Sequence, residues 1–149
     1  MRNGVLVNYC NRMLMPGLMT LLAAQSYAEL QIDNPWVALA PPAATANAAY
    51  MDIYNPQVQA QKIVALSADC CALVMLHQMR RDGDKMLMEH REDLLVPAKG
   101  RVSLEPGGLH IMLMKPNAEL QLGSEITITF TFADGSKQSI ALGVKKHEL

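Results

Sequence analysis

EITITFTF, residues 125–132, alternates strictly between apolar and threonine side chains after its first glutamate. This period of two is typical of a β-strand with one buried face, so the isoleucines and phenylalanines are expected to point inward and the threonines outward. The next four residues, ADGS (133–136), contain Asp-Gly, which favours a tight hairpin turn. The alternation resumes through residues 140–144, IALGV. The end of the chain therefore predicts a β-hairpin packed on a core.

Shorter strand-like segments occupy the rest of the chain, separated by Gly, Pro, Asn and Asp residues. We predict strands in these segments: residues 36–39, 48–55, 61–69, 71–79, 85–92, 102–104 and 109–114. The segment RRDGD (80–84) is predicted to be the turn of a further hairpin. Seven to nine short strands with turn residues between them, and no sustained helical period, predict an all-β fold: an antiparallel Greek-key sandwich or barrel.

The first 28 residues are predicted to be a secretory signal peptide. Their only charged side chains are two arginines, and residues 13–24 form a short apolar run. The small residues Ser26 and Ala28 stand where a signal peptidase site requires them. We therefore expect a signal peptide at 1–28 and one domain at 29–149, with a retained N-terminal anchor as the alternative.

The composition of the predicted mature domain excludes several classes of function. It has eleven basic and fourteen acidic side chains, a formal charge of −3, so no basic surface is expected for nucleic acid. Its two cysteines, Cys70 and Cys71, are adjacent and cannot cross-link distant parts of the fold. No Gly-x-Ser-x-Gly elbow or Gly-rich phosphate loop occurs. We therefore do not expect an enzyme.

Histidine and methionine are concentrated in residues 75–114, which hold three of the four histidines and six of the eleven methionines. His110 and Met112 are two apart on a predicted strand and therefore share a face. His77 and Met88 flank the predicted RRDGD turn. Imidazole and thioether groups suit a soft cation such as Cu(I). By spacing alone these four residues are either the ligands of a soft metal ion or ordinary structural residues, since methionine commonly fills β-cores.

The same four residues match the motif of a known family. Ten residues separate His77 from Met88, and twenty-one separate Met88 from His110. One residue separates His110 from Met112. The chain thereby resembles the periplasmic copper chaperone family called PCuAC, whose motif is H-(M)-x10-M-x21-H-x-M. Three further segments resemble that family: PWVALAPP (35–42), AAYMDIYNP (48–56) and PGGLHIMLM (106–114).

The resemblance implies a cupredoxin-like fold that binds one Cu(I) through His77, Met88, His110 and Met112. It implies a periplasmic metallochaperone that hands copper to an acceptor protein, either a cytochrome c oxidase subunit or one of its assembly factors. We expect a monomer with no stable membrane insertion once the signal peptide is removed. We expect Met75 to lie in the core and Met114 to lie beside the ligands. We expect His90 to be an exposed bystander, and Cys70 and Cys71 to be small buried residues. Contributions from Met79, Met86 and His90 to the site stay open.

Three other functions are weighed against this one. A blue-copper electron-transfer protein needs a cysteine thiolate beside two histidines, and neither cysteine lies near His110 in sequence. A copper-dependent polysaccharide monooxygenase uses a mature N-terminal histidine, whereas the predicted first residue is Glu29. A secreted β-sandwich interaction module without metal would use the methionines as packing.

Overall fold

The computed structural model describes residues 29–42 and 44–146. The predicted signal peptide lies outside these residues and stays a prediction. Within the described residues there is no helix long and apolar enough to span a membrane. They contain ten β-strands: β1 Gln31–Leu39, β2 Ala46–Tyr54, β3 Gln61–Ala68, β4 Cys71–Asp82, β5 Lys85–Arg91, β6 Leu94–Val96, β7 Arg101–Leu104, β8 Leu109–Pro116, β9 Glu125–Phe132 and β10 Lys137–Lys146. The all-β prediction is confirmed.

Seven of the strands form a closed barrel in the order β4-β8-β2-β1-β10-β9-β3. Ala68 of β3 pairs with Cys71 of β4 and closes it. The short strands β6 and β7 add to β3 and β2, and β5 adds to β4 as an edge strand. Neighbours are antiparallel except that β1 and β10 run parallel, which the sequence did not predict. No hairpin joins these two strands, so nothing local dictates their relative direction.

The core contains the apolar face of β9, the strand whose alternating pattern is the clearest in the sequence. β9 coincides with the predicted strand at 125–132, and its apolar side chains are all buried: Ile126, Ile128, Phe130 and Phe132. The intervening threonines are partly exposed. Burying one such side chain stabilises a fold by about 1.5–3 kcal/mol. This face therefore anchors the core of the barrel.

Two boundaries near the candidate site differ from the predictions. β4 continues to Asp82 rather than ending at residue 79, because the hairpin turn is confined to Gly83 and Asp84. Gly83 has φ of +60°, a left-handed conformation that glycine adopts without a steric penalty. β6, at residues 94–96, was not predicted, since three residues are too few to show an alternation. The β4–β5 hairpin is consequently longer than expected.

Asn55, at the end of the predicted strand 48–55, joins two parts of the barrel. Its side chain is fully buried. Its Nδ2 donates hydrogen bonds to the carbonyls of Gln59 (2.8 Å) and Val96 (3.2 Å), and its Oδ1 accepts one from the Gln57 N–H (3.0 Å). A buried amide is tolerated only when its polar atoms are paired in this way. Asn55 thus fixes β6 to the turn after β2.

Candidate metal centre

One outward face of the barrel, spanning β5, β4 and β8, collects the histidines and methionines. Alternate residues of β4 and β8, such as Leu76 and Ile111, are buried in the core, so their neighbours in sequence point outward. The outward side chains are Met86, Met88 and His90 on β5, Met75, His77 and Met79 on β4, and His110, Met112 and Met114 on β8. All four predicted ligands therefore lie on one face, which we call the His/Met face.

Three histidines form a row across this face. His77 is directly opposite His90 on one side and His110 on the other. Ring centroids are 5.6 Å apart for His77 and His90, and 6.1 Å apart for His77 and His110, with edge-to-face orientations. His90 is exposed, as expected, but it lies against a predicted ligand rather than away from the site. The row is not by itself a metal site of these residue types, because among the described residues no three His, Cys, Asp or Glu side chains are grouped so that they could hold a metal ion.

His110 is held in a single orientation by its surroundings. It is only 4% exposed, and its Nδ1 lies 3.1 Å from the Gly108 carbonyl. A carbonyl oxygen only accepts hydrogen bonds, so Nδ1 carries the proton. The same carbonyl also accepts the Met79 N–H at 3.0 Å. In the neutral ring this leaves the lone pair on Nε2, the atom that can bind a metal ion.

His77 is in the protonation state that a metal ligand requires. Burial lowers its pKa, and the neighbouring His110 and His90 lower it further. The imidazole is therefore neutral at neutral pH, and metal ions bind the neutral form. Its Nδ1 is buried and has no hydrogen-bond partner among the described residues. An unpaired buried nitrogen is costly, so a ligand that contacts it would relieve this cost.

Tyr50 is a neighbour of the site that sequence reasoning missed. Its ring lies 6.4 Å from His110 and 5.0 Å from Trp36, measured between centroids. These rings continue the histidine row onto β2 and β1. The pairing of β2 with β8 places them there, and no spacing within a single strand could have indicated it.

The methionines lie on both sides of the histidine row. Met88 is opposite Met79, two residues past His77 in one direction along β4. Met112 is opposite Met75, two residues past His77 in the other direction. Met75 was expected in the core. This was wrong, because Met75 has the same parity as His77 and faces outward.

The two predicted methionine ligands, Met88 and Met112, lie far from each other on the His/Met face. Met88 and Met112 are two strands and four residues apart, which places their Cα atoms about 16 Å from each other. The structure therefore places His77 and His110 side by side, with Met88 and Met112 on opposite sides of this pair.

The two cysteines lie away from this face. Cys71 is buried, as expected, and burial raises the pKa of its thiol to about 12. Cys70 is half-buried in the β3–β4 turn, and burial also raises its pKa. Six residues of extended strand put Cys71 about 20 Å from His77. Neither residue supplies a thiolate beside the histidines, so a blue-copper arrangement is absent from the described residues.

Known proteins share both the sequence and this architecture. A family model described as "Putative lipoprotein LpqE-like" matches residues 30–144. The chain belongs to the LpqE-like family. One LpqE-like relative, a protein of Leifsonia xyli named as a "Putative lipoprotein", is 32% identical over 117 residues, covering 78% of this chain and 69% of its own. An uncharacterised protein of Rickettsia prowazekii is 28% identical over 99 residues, and the chain spans 55% of its length.

Solved structures, including PCuAC domains, share the fold of this LpqE-like chain. The Cu(I)-bound solution structure of a Deinococcus radiodurans protein is 31% identical, with a TM-score of 0.62 and coverage of 85% of this chain and 84% of that one. The copper-bound PCuAC domain from PmoF2 is 18% identical, with a TM-score of 0.67 and coverage of 80% and 95%. The resemblance to PCuAC and the cupredoxin-like barrel are both confirmed. The assignment of individual ligands stays a prediction.

Proposed function

We propose that this protein is an exported, non-enzymatic carrier that binds one Cu(I) through His77, His110, Met112 and Met88. The observation that carries the proposal is the His/Met face, where His77 and His110 lie side by side among methionines on three adjacent strands. Soft Cu(I) prefers thioether and imidazole ligands, whereas harder ions prefer carboxylates and water. Thioethers also cannot form disulfides, which suits an oxidising compartment.

The exposure of the site favours transfer rather than storage. Met88 is 52% exposed on an edge strand, whereas His110 is buried. A partner's ligand can therefore displace an exposed thioether while the histidines still hold the ion. We propose that the acceptor is a cytochrome c oxidase subunit or one of its assembly factors, reached by a monomeric carrier in the periplasm. The lipoprotein names of the family and of its Leifsonia relative support export.

The relatives add support for copper as the cargo. By their names, the Deinococcus protein carries Cu(I) and the PmoF2 domain carries copper. The first of these is close enough in sequence for its bound metal to bear on this chain. The spacing of the four residues matches the family motif without an insertion or deletion. Copper is therefore the first metal to test.

The proposal is tested by titrating purified protein with Cu(I) against a competing chelator, with ascorbate as reductant. We expect His110→Ala and Met112→Leu each to weaken binding about tenfold or more, which is about 1.4 kcal/mol. Leucine keeps the volume of methionine but removes the sulfur. Met86→Leu is the matched control, because Met86 is exposed on the same face but outside the motif. Equal affinity in all variants, or no Cu(I) binding by the wild type, would refute the proposal.

A further inference from the structure

The His/Met face continues onto β2 and β1 as an open apolar depression with a volume of about 570 Å³, which we call the alanine trough. We propose that the copper acceptor docks on this trough, with a bulky apolar side chain inside it and a metal ligand of its own over the His/Met face. The inference rests on the proposed function, because it names the surface by which the proposed carrier meets its partner. The trough is lined by four alanines together with one methionine and one leucine: Ala38, Ala40, Ala46, Ala48, Met112 and Leu122.

The pairing of the strands places the alanines directly beside a proposed metal ligand. Ala48 of β2 is opposite Met112 of β8, and Ala38 of β1 is opposite Ala48. Residues that are directly opposite on neighbouring strands point to the same face, so these three side chains form one row. Ala46 lies two residues from Ala48 and shares that face. Because methyl groups are short, the alanines form a floor below the level of the surrounding side chains.

Larger side chains bound this floor. Tyr50 and Trp36 lie two residues from the alanines along β2 and β1, on the same face, with ring centroids 5.0 Å apart. Toward β10 the boundary is Leu122, which is 58% exposed. The next residue, Gly123, donates its N–H to the Val144 carbonyl at 2.9 Å, so the backbone beside Leu122 is tied to β10. The trough is therefore a preformed recess, the kind of surface that accepts an apolar side chain at low cost.

The position of Met112 identifies the occupant as the copper acceptor. Its side chain is both a proposed ligand and a wall of the trough. In a transfer by ligand exchange, a sulfur ligand of the acceptor must come within about 2.3 Å of the ion while the donor still holds it. The acceptor therefore has to contact the surface around Met112. A stable interface covers about 800 Å² on each partner, so one docked protein can cover the trough and also reach the exposed Met88.

The charges at the end of the trough favour a partner with carboxylates. Lys146 lines the trough and is exposed, and Lys145, opposite Ala38, is exposed as well. Neither lysine belongs to an ion pair within residues 29–42 and 44–146. Glu119 lines a neighbouring depression that shares Pro41 with the trough. Carboxylates of the acceptor that face the two lysines would steer the encounter and fix its orientation. We therefore expect the docking side chain of the acceptor to be flanked by Asp or Glu.

The rate of copper transfer in a matched pair of variants tests the docking. The probe is the soluble copper-binding domain of a cytochrome c oxidase subunit, and a small Cu(I) chelator serves as a second acceptor. Leu122→Ser should slow transfer to the protein domain about tenfold, because it removes apolar surface that docking buries. Leu95→Ser is the control, since Leu95 is 56% exposed but lies on β6, outside the trough. Cu(I) affinity and the rate of transfer to the chelator should be the same in the wild type and both variants.

Amide chemical shifts of the copper-free chain provide a readout that does not depend on the metal. On addition of the same protein domain, we expect the signals of Ala38, Ala48 and Leu122 to shift and those of Val58 and Leu95 to stay in place.

Each other outcome of these two measurements has a definite meaning. Equal transfer rates for the two leucine variants would overturn the docking. Shifts of the trough signals with rising concentration of the chain alone would assign the trough to a second copy and would also overturn it. A chain that binds Cu(I) but neither transfers it to the domain nor shifts would overturn the docking and leave copper binding intact. A chain that shifts on adding the domain but binds no Cu(I) would overturn the proposed function and leave the docking surface intact.

Discussion

Among the predicted ligands, His110 is the residue that its protein neighbours hold most firmly. The Gly108 carbonyl fixes its tautomer, and the rings of Tyr50 and His77 lie on either side of it. His77, by contrast, keeps a buried nitrogen without a partner among the described residues. The difference suggests that His110 is the fixed point of the site and that His77 gains most from a bound ion.

The thiol of Cys71 leads to a prediction about how the stability of the fold depends on pH, and this prediction does not involve copper. Its folded pKa is raised from 9.0 to about 12 because the buried thiol resists ionisation. The unfolded chain therefore loses this proton at lower pH than the folded chain. The associated stability is fully present below about pH 9 and is lost as the pH rises toward 12. Urea unfolding at pH 7.5 and 10.5 should show a larger loss for the wild type than for Cys71→Ala. Equal losses would contradict the raised pKa.

The sequence predicted correctly which way a residue faces when this depends only on alternation along one strand. It put His110 and Met112 on one face, and the structure agrees. The same parity argument groups Met75 with His77, so the assignment of Met75 to the core was avoidable. The contact between His77 and His90 was not foreseeable in this way. It depends on which residues of two strands pair, and the spacing of either strand does not contain that information.

At the scale of strands, β9 shows what the sequence determines. Its two faces differ so strongly in polarity that a shift by one residue would bury threonines and expose phenylalanines. Both the extent and the orientation of β9 were therefore predictable. β5 shows the opposite case, because Met86, Met88 and His90 suit the same face in more than one register. The register of β5 was therefore not predictable from its sequence.

The importance of the β9 face can be measured directly. Phe130 is fully buried, and Phe130→Ala should lower the free energy of unfolding by about 3–5 kcal/mol, because it removes buried surface and leaves a cavity. Thr131→Ala, next in the chain and on the opposite face, should change it by less than about 1 kcal/mol. Chemical denaturation of both variants provides the comparison. A small effect at Phe130 would mean that β9 does not anchor the core as described.

At the scale of the molecule, the His/Met face combines a strand held on both sides with a strand at the edge of the sheet. β8 is fixed between β2 and β4, so His110 and Met112 are supported from both sides. β5 has a neighbour on one side only within the described sheet. The proposed carrier must hold its ion and also release it, and a face that is firmly held on β8 and exposed on β5 suits both requirements. Most of the sequence builds the barrel, and β5 adds Met86, Met88 and His90 to the His/Met face from its edge.

X-ray absorption at the copper K-edge tests the central claim most directly, because it counts the atoms bound to the ion. For wild-type protein loaded with one equivalent of Cu(I), the account predicts two sulfur and two nitrogen neighbours, in keeping with the thioether and imidazole preference of the ion. Met88→Leu should lose one sulfur neighbour, and His110→Ala should lose one nitrogen neighbour. A shell without sulfur, or a spectrum unchanged in both variants, would contradict binding by His77, Met88, His110 and Met112.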